Sequence, residues 1–249
     1  MSCGAVWIWK RSTAFCGISK PDALVFFTEG GEKMDKKWEY MLPGDIENRS
    51  FAIIDEELTA RGIRLDPVHA PVIKRCIHTS ADFDYADNLC FSEHAVEKGL
   101  DALRCGARIV TDTQMARSGI SKVLLERFGG EVLCFMSDED VAAAAAVHQT
   151  TRAVASMQKA ASLSGPLIFA IGNAPTDLIE LDKLIQEEKL SPELAIGVPV
   201  GFVNVVEAKE LIMSSGVPYI VAKGRKGGSN IAAAICNALL RILAEQACL

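Results

Sequence analysis

The chain lacks the signatures of several large protein classes. Its eight cysteines, Cys3, Cys16, Cys76, Cys90, Cys105, Cys134, Cys236 and Cys248, include no C-x-x-C pair, which removes the usual thiolate frame of a structural zinc. Several lie within apolar runs where buried free thiols are common, and this usage points to a reducing cytosol. No uninterrupted apolar stretch reaches the roughly 18 residues that a membrane span needs. Ala5 to Trp9 is too short for a signal peptide, and Lys10 and Arg11 follow it instead of preceding it. The expectation is a cytoplasmic protein without a membrane partner.

Basic residues are not in excess either. Lysine and arginine number 26 against 32 aspartate and glutamate, a formal net charge of −6. That balance argues against a nucleic-acid partner, for which a basic face is expected. Any anionic ligand must then be held by cations placed locally. No G-x-S-x-G elbow supports a serine hydrolase. Neither a G-x-x-x-x-G-K-[ST] loop nor a G-x-G-x-x-G turn is present. Repeats and low-complexity tracts are absent, and no His, Cys and carboxylate cluster has metal-ligand spacing, so no resident cofactor or metal is expected.

What is present is alternation. The chain has 249 residues, 49% of them hydrophobic, enough for one large α/β domain or two small ones. Short apolar runs at 107–111, 131–136, 166–171, 194–198 and 218–222 read as strands, each followed by a helical stretch. Strand and helix alternating in this way imply right-handed crossovers and a parallel, doubly wound sheet. Upstream, Ile46, Phe51, Ile54 and Leu58 recur at helical spacing, a shorter helix follows Pro67 to about Ile77, and 88–104 reads as a helix with Leu89, Ala95, Val96, Leu100 and Leu103 on one stripe. Ser137 before Asp138, Glu139 and Asp140 reads as a helix cap. Residues 1–33 lack periodicity and read as a poorly ordered extension or an upstream misassigned start, ahead of a domain spanning 34–249.

In an open parallel sheet, ligands bind beyond the carboxyl ends of the strands. The loops placed there carry Asp112 and Arg117, Asn173, Asn204, and the run Gly224, Arg225, Lys226, Gly227, Gly228, Ser229 and Asn230. The last of these opens a long apolar helix. Exposed glycine amides, two cations and a helix N-terminus together suit an anion. Glycines there permit close backbone approach, and the asparagines can donate to carboxylates. Each has a plainer reading: Asn173 and Asn204 as helix caps, Asp112 as a turn residue, the basic loop as a surface turn. Among the four histidines, His78 is the most suggestive, because Arg75, Thr79, Ser80, Asp82 and Asp84 crowd it at a helix end.

Five segments in order, RSFAII at 49–54, RCIHTSADF at 75–83, FAIGNAPT at 169–176, GVPVGFVN at 197–204 and GRKGGSN at 224–230, resemble the precorrin-8X methylmutases of corrin-ring biosynthesis and their cobalt-precorrin-8 counterparts. The likeness runs from about Tyr40 to Leu243 and leaves out residues 1–33. It implies a single-domain flavodoxin-like α/β/α sandwich with an N-terminal helical segment, a homodimer, and an isomerase that moves a methyl group from C-11 to C-12 of the macrocycle. It also implies that His78 handles the proton, that Ser50 and Arg75 contact a carboxylate-rich tetrapyrrole, and that cobalt, where present, belongs to the substrate. Thr79, Asp112, Arg117, Asn173, Asn204, Arg225, Lys226, Gly227, Gly228 and Ser229 are expected to complete the substrate site. Gln114 stands where the family often has asparagine, and Gln149 where it often has glycine. The product is expected to pass to the next corrin-pathway enzyme. Two alternatives use the same scaffold: a non-catalytic tetrapyrrole carrier, and a flavin or nucleotide protein holding phosphate on the GRKGGSN loop.

Overall fold

A computed structural model of the chain describes residues 42–247. The expectation for residues 1–33 lies outside them. The contacts divide the chain after Ile46, and residues from Glu47 onward form one compact unit.

Helix α1 (Pro43–Ala60) turns Ile54 and Leu58 into the interior. In α2 (Ala70–Ser80) a proline occupies the first turn, where its missing N–H costs nothing, and Val72, Ile73, Cys76 and Ile77 are buried. Ala81 ends this helix in the left-handed region at φ 54° and donates its amide to Ile77 O at 2.7 Å. The chain then runs through α3 (Tyr85–Asn88), β1 (Leu89–Phe91), α4 (Ala95–Arg104), β2 (Arg108–Thr111), α5 (Gln114–Gly119), α6 (Lys122–Glu126) and β3 (Val132–Leu133). It continues through α7 (Glu139–Val147), α8 (Arg152–Ala160), β4 (Leu167–Ile171), α9 (Pro175–Gln186), β5 (Leu194–Gly197), α10 (Val205–Ser214), β6 (Tyr219–Ala222) and α11 (Ser229–Ala247).

Among the described residues six strands lie in the order β1-β6-β5-β4-β2-β3, with β2 to β6 parallel. For the five parallel strands this is the flavodoxin-like doubly wound order, whose switch point falls between β2 and β4. Side chains alternate across the sheet: Ile109, Ile168, Ile196 and Ile220 enter one core with α2, α4 and α11, while Val110, Phe169, Ala195 and Val221 enter the other with α8, α9 and α10. Burial on both faces explains why these strands read as continuous apolar runs.

Two local expectations are corrected. The segment 88–104 is not one helix: Leu89–Phe91 is a strand antiparallel to β6, with Leu89 opposite Ala222 and Phe91 opposite Ile220, and the helix begins only at Ala95. Leu89 falls in register with the helical stripe that follows, so its apolar character was compatible with either state. Ser137 does not cap α7. Asp138 occupies the cap position in extended conformation without a side-chain cap bond, because its carboxylate and that of Asp140 bind Lys159 at 2.6 and 2.8 Å.

Candidate active site

His78 lies on the last turn of α2 and is exposed. Its ring stacks on Phe51 of α1, with centroids 5.2 Å apart and planes 17° from parallel. The same Phe51 ring carries the Arg75 guanidinium 4.7 Å from its centroid. Arg75 Nη1 donates to Glu47 Oε1 at 2.6 Å, and Arg241 of α11 reaches the same carboxylate at 3.2 Å. The Arg75 hydrogen bond, opposed by burial and helped by both guanidinium charges, holds the Glu47 carboxyl below its ordinary range. One carboxylate thus fixes two arginines and leaves one positive charge over.

Arg75, His78 and Arg241 border a cleft of about 380 Å³ between α2, the α5–α6 corner and α11. Arg75, His78 and Thr79 line one wall, and Asn230, Asn237 and Arg241 line another. Gly119 and Ser121 close the end, and Leu124, Ala233 and Ala234 supply apolar floor. Asn237 is held in turn, its Oδ1 accepting from the Ser121 amide at 2.8 Å and its Nδ2 donating to Gly119 O at 2.8 Å. Among the described residues no aspartate or glutamate lines the cleft, although Glu47 binds two of its arginines. In a chain of net charge −6 that exclusion is selective.

The strand-tip residues are arranged differently from the expected anion cradle. Asp112 is 2% exposed and faces inward, where its two oxygens accept the amides of Gly172, Asn173 and Ala174 at 3.0, 2.6 and 3.0 Å. It braces the turn after β4 and is not placed to meet a ligand. Burial pushes this carboxyl up, and the three amide donors pull it back. Next to it, Asp177 is 0% exposed and neither of its oxygens has a hydrogen-bond partner among the described residues. Burial, reinforced by the Asp112 charge, pushes Asp177 up to about 8.

In the GRKGGSN loop, the Gly228 amide donates to Val198 O at 2.8 Å, and a Cβ on Gly227 would fall inside that carbonyl oxygen. A Cβ on Gly172 would meet Ser229 Cα at 2.7 Å. These two glycines therefore serve the close approach of three loops. The Ser229 hydroxyl is engaged with Thr113 Oγ1 at 2.7 Å. Lys226 binds Asp82 and Asp84 at 2.6 and 2.5 Å, so it is not a free cation. Arg225 sits 5.3 Å from the ring centroid of exposed Phe202. The Gly228–Ser229 end of the loop is buried against its neighbours, Gly224, Arg225 and Lys226 are exposed, and of the loop residues Asn230 lines the cleft.

The other expected residues are dispersed. Ser50 is half-buried on α1 beside Phe51 and does not line the cleft. Arg117 turns away, with Nε 3.3 Å from Val132 O and Nη1 3.3 Å from Gln114 Oε1. Asn173 and Asn204 are exposed on the tip loops, and Asn204, in the left-handed region at φ 57°, makes no side-chain cap bond. Gln149 also has positive φ, 51°, a conformation glycine adopts more readily.

A model of the family described as Precorrin-8X methylmutase matches residues 45–242. The chain belongs to the precorrin-8X methylmutase family. It is 47% identical over 209 residues to the cobalt-precorrin-8 methylmutase of Salmonella typhimurium, covering 82% of this chain and 97% of that one. With the cobalt-precorrin-8 methylmutase of Leptospira interrogans it shares 44% over 210 residues, 81% of this chain and 94% of the other. The crystal structure of a precorrin-8X methylmutase from Thermus thermophilus superposes with a TM-score of 0.73 at 41% identity, covering 81% and 98%. These relatives are named as methylmutases, and the carrier alternative finds no support among them.

Within this methylmutase scaffold, Asn237, Arg241 and Ser121 are polar cleft residues that sequence reading did not assign, whereas Asn230 is read with the tip loop. A signal existed. Asn230, Ala233, Ala234, Asn237 and Arg241 recur at i, i+3, i+4, i+7 and i+11, so a polar and small-residue stripe interrupts an otherwise apolar helix. Among the described residues no group of histidine, cysteine and carboxylate is arranged to hold a metal, and no helix is long and apolar enough to cross a membrane.

Proposed function

We propose that the protein moves a methyl group from C-11 to C-12 of precorrin-8X or cobalt-precorrin-8 in cobalamin biosynthesis, with His78 as the proton-handling residue. The observation that carries this reading is the cleft: two arginines that share the single carboxylate of Glu47, one exposed histidine and two amides, on an acidic chain. Such a lining suits a ligand bearing many carboxylates. In the reaction the bond from the methyl to C-11 breaks and one to C-12 forms, so no atom is gained or lost. That balance needs neither a hydrolytic triad nor a redox cofactor. It needs the conjugated ring polarised, and an acid at the end of α2 supplies a proton to a ring nitrogen. Phe51 fixes the imidazole plane, which limits the rotation that a free surface histidine would have.

The test is incubation with metal-free and cobalt-bearing substrate, followed by absorption spectroscopy and mass measurement. The expected result is a change of colour at constant mass. A constant spectrum with both substrates would sink the reading.

Arg75 and Arg241 are assigned to substrate carboxylates, since each keeps donors beyond the one shared acid. Arg75→Ala and Arg241→Ala should each weaken tetrapyrrole binding by about tenfold to a hundredfold, the loss expected for a charge-assisted hydrogen bond. Unchanged affinity in both, by fluorescence or absorption titration, would remove the carboxylate assignment. A homodimer belongs to the same reading and is supported by Phe202, 82% exposed, which stands with Val200 and Val203 on one tip loop. Sedimentation at micromolar concentration should give twice the chain mass, and a monomer would exclude the dimer.

A further inference from the structure

Lys209 lies on α10, on the side of the sheet away from the cleft, and is 1% exposed. Its Nζ donates to Gly224 O at 2.8 Å and to Lys226 O at 2.9 Å. No ion pair joins it to a carboxylate among the described residues. A buried ammonium balanced only by carbonyls is costly, and an apolar side chain would fill the same space at less cost. Its two bonds have one common effect: they set the path of the backbone from Gly224 to Lys226.

From there a continuous set of contacts leads to the cleft. Lys226 Nζ binds Asp82 and Asp84. Asp82 N donates to Ser80 Oγ at 3.2 Å, Ser80 Oγ donates to Cys76 O at 2.7 Å, and Asp84 N donates to Asp82 Oδ1 at 3.0 Å. The turn that Lys226 clamps is therefore the end of α2, which carries His78 and Thr79. In the other direction the loop runs through Gly228, pinned to Val198 O, into Asn230 on the opposite wall.

We propose that Lys209 is a positioning residue for the methyl shift, setting the Gly224–Gly228 loop so that Lys226, through Asp82 and Asp84, holds the helix end that presents His78. The inference rests on the reading of the cleft given above. A misplacement of about 1 Å can cost about a hundredfold in rate, so the effect belongs in kcat and leaves the binding of substrate carboxylates to Arg75 and Arg241 intact.

The experiment compares the parent protein, Lys209→Met, the double variant Asp82→Asn with Asp84→Asn, and the triple combination, each assayed for kcat and KM with the tetrapyrrole. The expected result is that Lys209→Met lowers kcat about tenfold to a hundredfold with KM within about twofold. The Asp82 and Asp84 variant should show the same split. The triple variant should be no slower than the slower of the two, because all act through one connection. The His78 imidazole resonances should shift in Lys209→Met, which a remote loss of stability alone would not produce. Parental kcat in folded Lys209→Met, or effects that multiply in the triple variant, would overturn the proposal. If Lys209→Met does not fold, the Asp82 and Asp84 variant decides, since Asp84 is exposed and Asp82 partly so, and parental kcat there overturns it equally. Absence of turnover in the parent would overturn the reading of the cleft and this inference with it, whereas turnover in the parent together with parental variants would overturn only this inference.

Discussion

His78→Ala is expected to fold, to retain the tetrapyrrole, and to lose turnover by about 10² to 10⁴, the range typical for a positioned proton donor. Folding should survive because His78 is exposed at the helix end, and its ring contact is confined to one face of Phe51. Binding should survive because Arg75 and Arg241 are held by Glu47 independently of the imidazole. Single-turnover absorption kinetics, paired with a binding titration, separate the two quantities. Turnover within a few-fold of the parent would take His78 out of the chemistry, and a parallel loss of affinity would recast it as a binding residue.

The second large effect lies away from the cleft, at Asp177. The folded protein holds this carboxyl protonated up to about 8, whereas in the unfolded chain it ionises near its ordinary value of 3.8. Between these limits the folded state binds more protons than the unfolded state, so this residue's contribution to stability falls as pH rises through the window and levels off above it. Each unit is equivalent to about 1.4 kcal/mol. Asp177→Asn keeps the shape and removes the titration. The variant's stability relative to the parent should therefore rise by on the order of 3 kcal/mol between pH 5 and pH 8. Denaturant unfolding at the two pH values measures it. A stability difference independent of pH would mean that Asp177 is ionised in the fold.

Most of the architecture was legible because burial on both faces leaves a plain mark. The runs at β4, β5 and β6 are largely apolar, β2 keeps an apolar centre at Ile109 and Val110, and helix-length segments separate them. β1 was not legible. Three residues, Leu89–Phe91, carry too little pattern to compete with the helical stripe beyond them, and only pairing with β6 decides their state. The site divides in the same way. His78 and Arg75 stand in a segment whose polar crowding at a helix end is local information. Asn237 and Arg241 become cleft residues only because α11 packs against α2 and α5, a contact between parts of the chain more than a hundred residues apart. Asp112 and Lys226 misled for a related reason. Their side chains are engaged by Gly172–Ala174 and by Asp82 and Asp84, and the chain order does not show which partner a charge will find.

The sheet ends on both sides in very short strands, three residues in β1 and two in β3. Unpaired strand margins recruit other chains when they are long and flat, and these offer only a few backbone groups each. A protein that is 49% hydrophobic, and built on a parallel sheet that is slow to assemble, is thereby shielded from edge-to-edge aggregation once folded.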